Sequence, residues 1–149
     1  MFTGNWYNEL GSQMFLNASG GQLSGFYASA VGQARYTYPL AGRYDTQPAS
    51  GGGQTMAWTV SWQNAYQNAH SATGWSGQYF DQGGNEEIYT LWLLAAEVSE
   101  GDEWESTLAG QDTFTRTPPP KEAIARSKRR GNVPHPKGAH PKGRHGKAY

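Results

Sequence analysis

A chain of 149 residues with twelve acidic and twelve basic side chains has room for one domain with a substantial core and too little for two comfortable ones. The formal neutrality hides a division: residues 1–117 hold Arg35, Arg43 and Arg116 against eleven acidic side chains, a net of −8, whereas residues 118–149 hold nine basic against one acidic, a net of +8. With no cysteine, disulfides and Cys-ligated metal sites are excluded, and no apolar run approaches the ~20 residues that a membrane-spanning helix needs.

Residues 1–117 contain nineteen aromatic side chains and only twelve Ile, Leu and Val, in short runs bounded by Gly, Asn, Asp and Ser. That pattern reads as all-β. A basic, apolar, cleavable leader is not seen ahead of the first strand. In that strand Trp6, Asn8 and Leu10 alternate with Tyr7 and Glu9; Gly11-Ser12 begins the turn to a second, about 14–18, and Ser19-Gly20-Gly21 closes the hairpin. The third strand sets Leu23, Gly25, Tyr27 and Ser29 on one face. In the fourth, about 38–44, Pro39 argues for a strand start or an edge. Arg43-Tyr44-Asp45 has the outline of an integrin-type tripeptide with Tyr for Gly, and reads more simply as a salt-bridged strand end. The run from Asp45 to Gly53 is a surface loop. Strand five places Trp58, Val60 and Trp62 on one face.

The sixth strand carries the most informative pattern. Ser71, Thr73, Trp75, Gly77 and Tyr79 share one face, and His70, Ala72, Gly74 and Ser76 the other. Hydroxyls and flat aromatic surface on one face suit the wall of a cavity for a polar, flat ligand better than a plain core, where Val, Ile or Leu would be usual. Strand seven is apolar on both faces, with Ile88, Thr90, Trp92 and Leu94 opposed to Tyr89, Leu91, Leu93 and Ala95, so its outer face is expected to pack against another subunit. Strand eight carries Leu108, Gly110, Asp112 and Phe114 on one face. Regular hairpin spacing with no helix before residue 120 predicts an eight-stranded antiparallel up-and-down β-barrel, wide enough for one small ligand.

With the indole-bearing faces inward, Asn8, Tyr27, Ser29, Ser71, Thr73 and Asp112 point at one interior with Trp62, Trp75 and Trp92. Each polar group buried without a partner costs on the order of a few kcal/mol, so a ligand is expected to satisfy them. No Lys or Arg shares this face, and ligand N–H donors would match Asp112. His70, Ser71 and Asp112 are the residue types of a hydrolytic triad, yet adjacent His and Ser in a strand point to opposite faces, which argues against an enzyme.

The segments GNWYNELGS (4–12), LSGFYASAVG (23–32), LAGRYD (40–45), WTVSWQNAYQNAHSATGWSGQY (58–79), WLL (92–94) and WESTLAGQDTF (104–114) resemble the avidin and streptavidin family, in order and at family spacing, and are closer to streptavidin and tamavidin-like members than to the egg-white branch. The resemblance implies a secreted, non-catalytic protein that binds and sequesters biotin, without cofactor, metal or membrane partner, as a homotetramer or a dimer. By position it implies Asn8, Ser12 and Tyr27 as donors to the ureido oxygen, and Ser29 and Asp112 as acceptors from the ureido N–H groups. Thr73 is placed at the ligand sulfur, Ser71 and Gln33 at its carboxylate, and Trp62, Trp75, Trp92 and Leu94 at the walls. Trp104 would close a neighbouring subunit's site. Gln33 stands where streptavidin has Asn, which alters the expected lid contacts; Gly74, Leu91 and Gln111 also differ. The alternative is a barrel for another small cyclic urea or amide.

Residues 118–149 form a basic tail. Pro118-Pro119-Pro120 stops the last strand, 121–130 suits a short amphipathic helix, and HPKGA-HPKGR-HGKAY repeats with period five. Its Pro, Gly and charge density predict disorder unless bound; weak polyanion binding or metal capture by His135, His140 and His145 are further readings.

Overall fold

A computed structural model of the protein describes residues 2–28, 37–129 and 134. Period-two alternation in the sequence becomes period-two burial. In strand β5 (Gln54–Gln63) Met56, Trp58, Val60 and Trp62 are buried and the residues between them exposed; in β7 (Asn85–Ala96) Ile88, Thr90, Trp92, Leu94 and Ala96 are buried. The remaining strands are β1 (Gly4–Tyr7), β2 (Gln13–Ser19), β3 (Gln22–Ala28), β4 (Thr37–Tyr44), β6 (Asn68–Gln82) and β8 (Thr107–Thr115). Each pairs antiparallel with the next and β8 returns to β1, giving the closed eight-stranded barrel expected. That last pairing is brief: one residue pair, Tyr7 with Thr115.

A row of facing residues crosses five strands: Gly42, Trp58, Trp75, Trp92 and Gly110. Three bulky indoles abreast need room at both ends of the row, and the glycines supply it. A Cβ on Gly110 would stand 2.3 Å from the Trp92 ring, and one on Gly42 would stand 2.0 Å from Ala57 O and 2.7 Å from Trp58 Cβ, so Gly42 also admits the close approach of the β5 backbone. Trp58 and Trp75 stack at 5.8 Å and 18°, with Phe114 edge-on to Trp58 at 5.7 Å.

The strand ends divide into two sets. At one lie Phe2, Trp6, Tyr44, Tyr79, Glu86 and Arg116. The Phe2 ring meets Tyr44 edge-on at 4.9 Å, and the Arg116 guanidinium lies 3.9 Å over the Trp6 ring. Arg116 also grips Glu86 through Nε (2.8 Å) and Nη2 (3.1 Å), and Tyr79 donates to the same carboxylate at 2.7 Å. The guanidinium first, then the tyrosine hydroxyl, hold Glu86 below the usual carboxylate range. This end is therefore closed by aromatic rings under a cation.

Two expectations need correction. The first strand ends at Tyr7, not Leu10, because Asn8 captures the chain: its Oδ1 accepts from Leu10 N (3.0 Å) and Ser12 N (2.9 Å), an Asx-type turn that competes with strand extension. Asp45 accepts from Gln47 N at 2.8 Å, so the end of β4 is capped by a turn and not by an Arg43–Asp45 ion pair. Pro39 lies near the start of β4, facing Phe26 of β3; the β4–β5 ladder begins only at Leu40, so its missing N–H costs that ladder nothing. Helix α1 (Lys121–Arg129) forms where the amphipathic pattern placed it.

Candidate ligand-binding site

The predicted site residues gather at the other set of strand ends. Asn8 and Ser12 come from the β1–β2 turn, Tyr27 from the end of β3, Trp62 from the end of β5, and Ser71 and Thr73 from the start of β6. Trp75 follows in β6, Trp92 and Leu94 lie near the end of β7, and Asp112 sits within β8. Asn8, Ser12, Tyr27, Trp62, Thr73, Trp75, Trp92, Leu94 and Asp112 are all buried. Ser29 and Gln33 lie outside the described residues.

The deep part of the site is a donor cluster facing an acid. Because both backbone amides of the turn point at Asn8 Oδ1, the side-chain amide is oriented with Nδ2 towards Tyr27, whose hydroxyl it meets at 3.2 Å. Tyr27 OH thus accepts from Asn8 and keeps its own proton to donate. Burial, then the nearby Asp112, push the Tyr27 hydroxyl well above its ordinary value, so it stays a neutral donor. Ser12 Oγ is buried with no hydrogen-bond partner among the described residues. Asp112 lies close to Asn8 and Tyr27, and its Oδ2 accepts from Trp75 Nε1 at 3.0 Å.

The walls are aromatic. Tyr27 stacks on Trp75 at 5.1 Å and 28°, and meets Trp62 edge-on at 5.5 Å. Trp62 and Trp75 stand 6.5 Å apart at 61°. Towards the mouth, Trp62 Nε1 donates to Thr73 Oγ1 at 2.8 Å, and Ser71 Oγ and Trp92 Nε1 are buried without a partner among the described residues. Several separate polar atoms thus stand unsatisfied or half-satisfied around one aromatic-walled space, the pattern of a site built for a ligand.

A model of the avidin family matches residues 1–117. The chain belongs to the avidin family. Over 132 residues it is 36% identical to avidin of Gallus gallus, covering 80% of each chain. Afifavidin of Afifella pfennigii is 36% identical over 115 residues, 74% of this chain and 66% of that one, and hoefavidin of Hoeflea phototrophica 38% over 102, 61% and 58%. These identities are too alike to set the chain nearer the bacterial avidins than the bird one.

Two residues of this avidin-family site were not assigned from sequence. Trp58 backs Trp75, and Tyr38 meets Trp62 edge-on at 5.0 Å while Gln67 Nε2 donates to its hydroxyl. Trp58 shared the inward parity of Trp62, so the signal was present; Tyr38 had only its place beside Pro39. His70 is on the outer side, 3.2 Å from Glu97, with φ at 50° and its N–H held by Asn68 Oδ1. The hydrolytic combination is thereby dismantled: His70 faces outward and Ser71 inward.

Burial first, and then the Glu9 carboxylate, push Asp112 up to about 8, with the Trp75 N–H pulling the other way. A carboxyl raised in the folded state favours folding while protonated. That contribution is complete below the unfolded value of about 4 and is lost as pH rises through about 8. The urea midpoint of the ligand-free protein is therefore expected to fall between these pH values, and Asp112→Asn to flatten that fall; equal slopes in both proteins would contradict the assignment.

Proposed function

We propose that this avidin-family barrel binds biotin without chemistry, sequestering it outside the cell. The observation that carries the reading is the convergence of the Asn8, Ser12 and Tyr27 donors with the buried Asp112 carboxyl beside the Tyr27–Trp75 stack. A cyclic urea presents one carbonyl oxygen flanked by two N–H groups, which is the complement of that arrangement. Three donors on one oxygen favour a polarised, oxyanion-like ureido group, and rigid strands limit the entropy lost on binding. Thr73 is then beside the ring sulfur, Ser71 and Gln33 at the acidic tail, Ser29 at the second ureido N–H, and Leu94 beside the indoles. Isothermal titration with biotin and with a simple cyclic urea tests this. Micromolar or tighter binding of biotin is expected, and cyclic urea binding without biotin binding would favour the other ligand class.

The same reading makes the protein a homo-oligomer. Leu91 and Leu93 on the outer face of β7 are each 61% exposed, and they line, with Ala41, Thr59, Ser76 and Ala109, a hollow of about 930 Å3 on the barrel's outer surface. Trp104, in the 3-10 turn Glu103–Glu105 between β7 and β8, is 78% exposed. Burying such aromatic and aliphatic surface is the usual driving force for assembly. Trp104→Lys is expected to lower both the sedimentation coefficient and biotin affinity; an unchanged sedimentation profile would contradict the interface reading.

A further inference from the structure

Glu9 has the outward parity of the first strand in the sequence, and the turn after β1 takes it off that parity. Because Asn8 Oδ1 holds Leu10 N and Ser12 N, Glu9 sits in a turn closed by two further bonds, from Asn8 N to Ser12 O (3.1 Å) and from Gly11 N to Asn8 O (3.0 Å). That rigid mount presents it across the seam to β8. Glu9 Oε2 accepts from Thr113 N at 3.1 Å, and its carboxyl group lies within hydrogen-bonding reach of the Asp112 carboxyl. We propose that Glu9 is a positioning residue of the site, sharing one proton with Asp112 and thereby setting the pH range over which the ligand is taken. For the ligand the inference rests on the biotin reading; the carboxyl pair does not.

The groups that bear on the Asp112 side chain are Glu9 and Asn8 from the β1–β2 turn, Tyr27 from β3 and Trp75 from β6, while Thr90 of β7 donates to the Asp112 backbone oxygen at 2.9 Å. Glu9 and Tyr27 are the titratable ones among them, and neither is a cation. Two carboxylates this close repel each other, and the repulsion is relieved when one proton is held between them. Asp112 is 1% exposed, whereas Glu9 is only partly buried and already has a backbone N–H to stabilise its charge. The proton therefore belongs on Asp112, whose O–H donates to the Glu9 carboxylate. Burial first and the Glu9 charge second push Asp112 up to about 8, and the bond to Glu9 adds to the rise. The same charge contributes, after burial and Asp112, to holding the Tyr27 hydroxyl up.

Ligand N–H donors reverse the preference. They favour the carboxylate form of Asp112, so the shared proton has to leave as the ligand enters, and the partly exposed Glu9 gives it a way from the buried acid to solvent. The balance is one proton: Asp112 loses it, water or buffer takes it, and a ligand N–H bonds to the oxygen left free. Removing the Glu9 charge makes Asp112 a stronger acid, with less proton to displace. Glu9→Gln does this at nearly constant shape. The amide Oε1 can still accept from Thr113 N, and Nε2 can donate to an ionised Asp112.

Biotin affinity of the full-length wild type is expected to fall by up to about tenfold for each pH unit below about 8 and to level off above it. In Glu9→Gln the fall begins about one unit lower or more, so the variant should bind roughly tenfold tighter than wild type at pH 6 and nearly alike at pH 9. Overlaid profiles would overturn the proposal, as would a loss of equal size at every pH, which would leave Glu9 a mere brace of the turn. A second readout needs no ligand. Trp75 Nε1 donates to Asp112 Oδ2 at 3.0 Å, so its indole N–H resonance, identified by its absence from Trp75→Phe, titrates with the acid. Its midpoint is expected near 8 in the wild type and about one unit or more lower in Glu9→Gln; equal midpoints would overturn the proposal. If neither protein binds biotin, the biotin reading fails, and the resonance still decides on the carboxyl pair. Should Glu9→Gln fold poorly, Glu9→Ala is measured the same way, with a shift in the same direction expected.

Discussion

In Asp112→Ala, biotin binding is expected to weaken by at least about a hundredfold, the equivalent of roughly 3 kcal/mol. The site holds its donors and its acceptor on different elements, and a ureido N–H that faces no acceptor after desolvation loses its water without replacement. The carboxyl is pushed up to about 8 by burial and by Glu9, while N–H donors favour the carboxylate, so binding at pH 7 should release a proton into the buffer. Calorimetry in buffers of differing ionisation enthalpy reads this directly: a buffer-dependent heat in the wild type that disappears in the variant. Wild-type affinity in Asp112→Ala would remove the residue from the site. Stability should move differently, because deleting a desolvated acid relieves the ligand-free barrel at alkaline pH while it ruins recognition. Loss of function with little loss of fold is the usual mark of a residue kept for binding.

For Trp75→Ala the expected loss is one of fold as well, about 3–5 kcal/mol of unfolding free energy, as for other large aromatic truncations in packed cores. That is a third or more of the ~5–15 kcal/mol typical of a domain. Trp75 is stacked between Tyr27 and Trp58, meets Trp62, and donates to Asp112. Denaturant unfolding followed by circular dichroism measures the loss, and a change below about 1 kcal/mol would show that the neighbouring rings collapse into the space. Trp75→Phe separates the two roles: it keeps an aromatic ring in the stack but removes the N–H that Asp112 accepts, so it should spare stability more than affinity.

Legibility in the sequence followed periodicity. Along β5, β6 and β7 the alternation is long and regular, and the inward residues Trp62, Thr73, Trp75, Trp92 and Leu94 could be named from spacing alone, because one register puts every second side chain inside. The resemblance to a known family then supplied roles that spacing lacks, above all for Ser12, which no alternation singles out. What spacing misread is where a side chain overrides the period. Asn8 looked like a strand residue and is instead the anchor of a turn, through bonds to amides two and four residues on. The closing of the far end by Arg116 over Trp6 was hidden for another reason: those residues are 110 positions apart and only the fold brings them together. Pro134 was hidden most deeply, since a composition that argues against a core does not single out the one residue that is buried, with its carbonyl 2.5 Å from Thr73 Oγ1.

The single residue pair between β1 and β8 gives the site a mechanical meaning. A cylinder of hydrogen-bonded strands opens first along its least-stitched seam, and here the seam is held by Tyr7 with Thr115, by Thr113 N on Glu9 at 3.1 Å, and by Arg116 reaching to Thr3 O at 3.2 Å. Asn8 stands on one lip of that seam and Asp112 on the other. A ligand that bonds to both supplies rungs the backbone leaves out, so occupancy sews the barrel shut at the place where it would otherwise part, and tight binding and resistance to unfolding become one property.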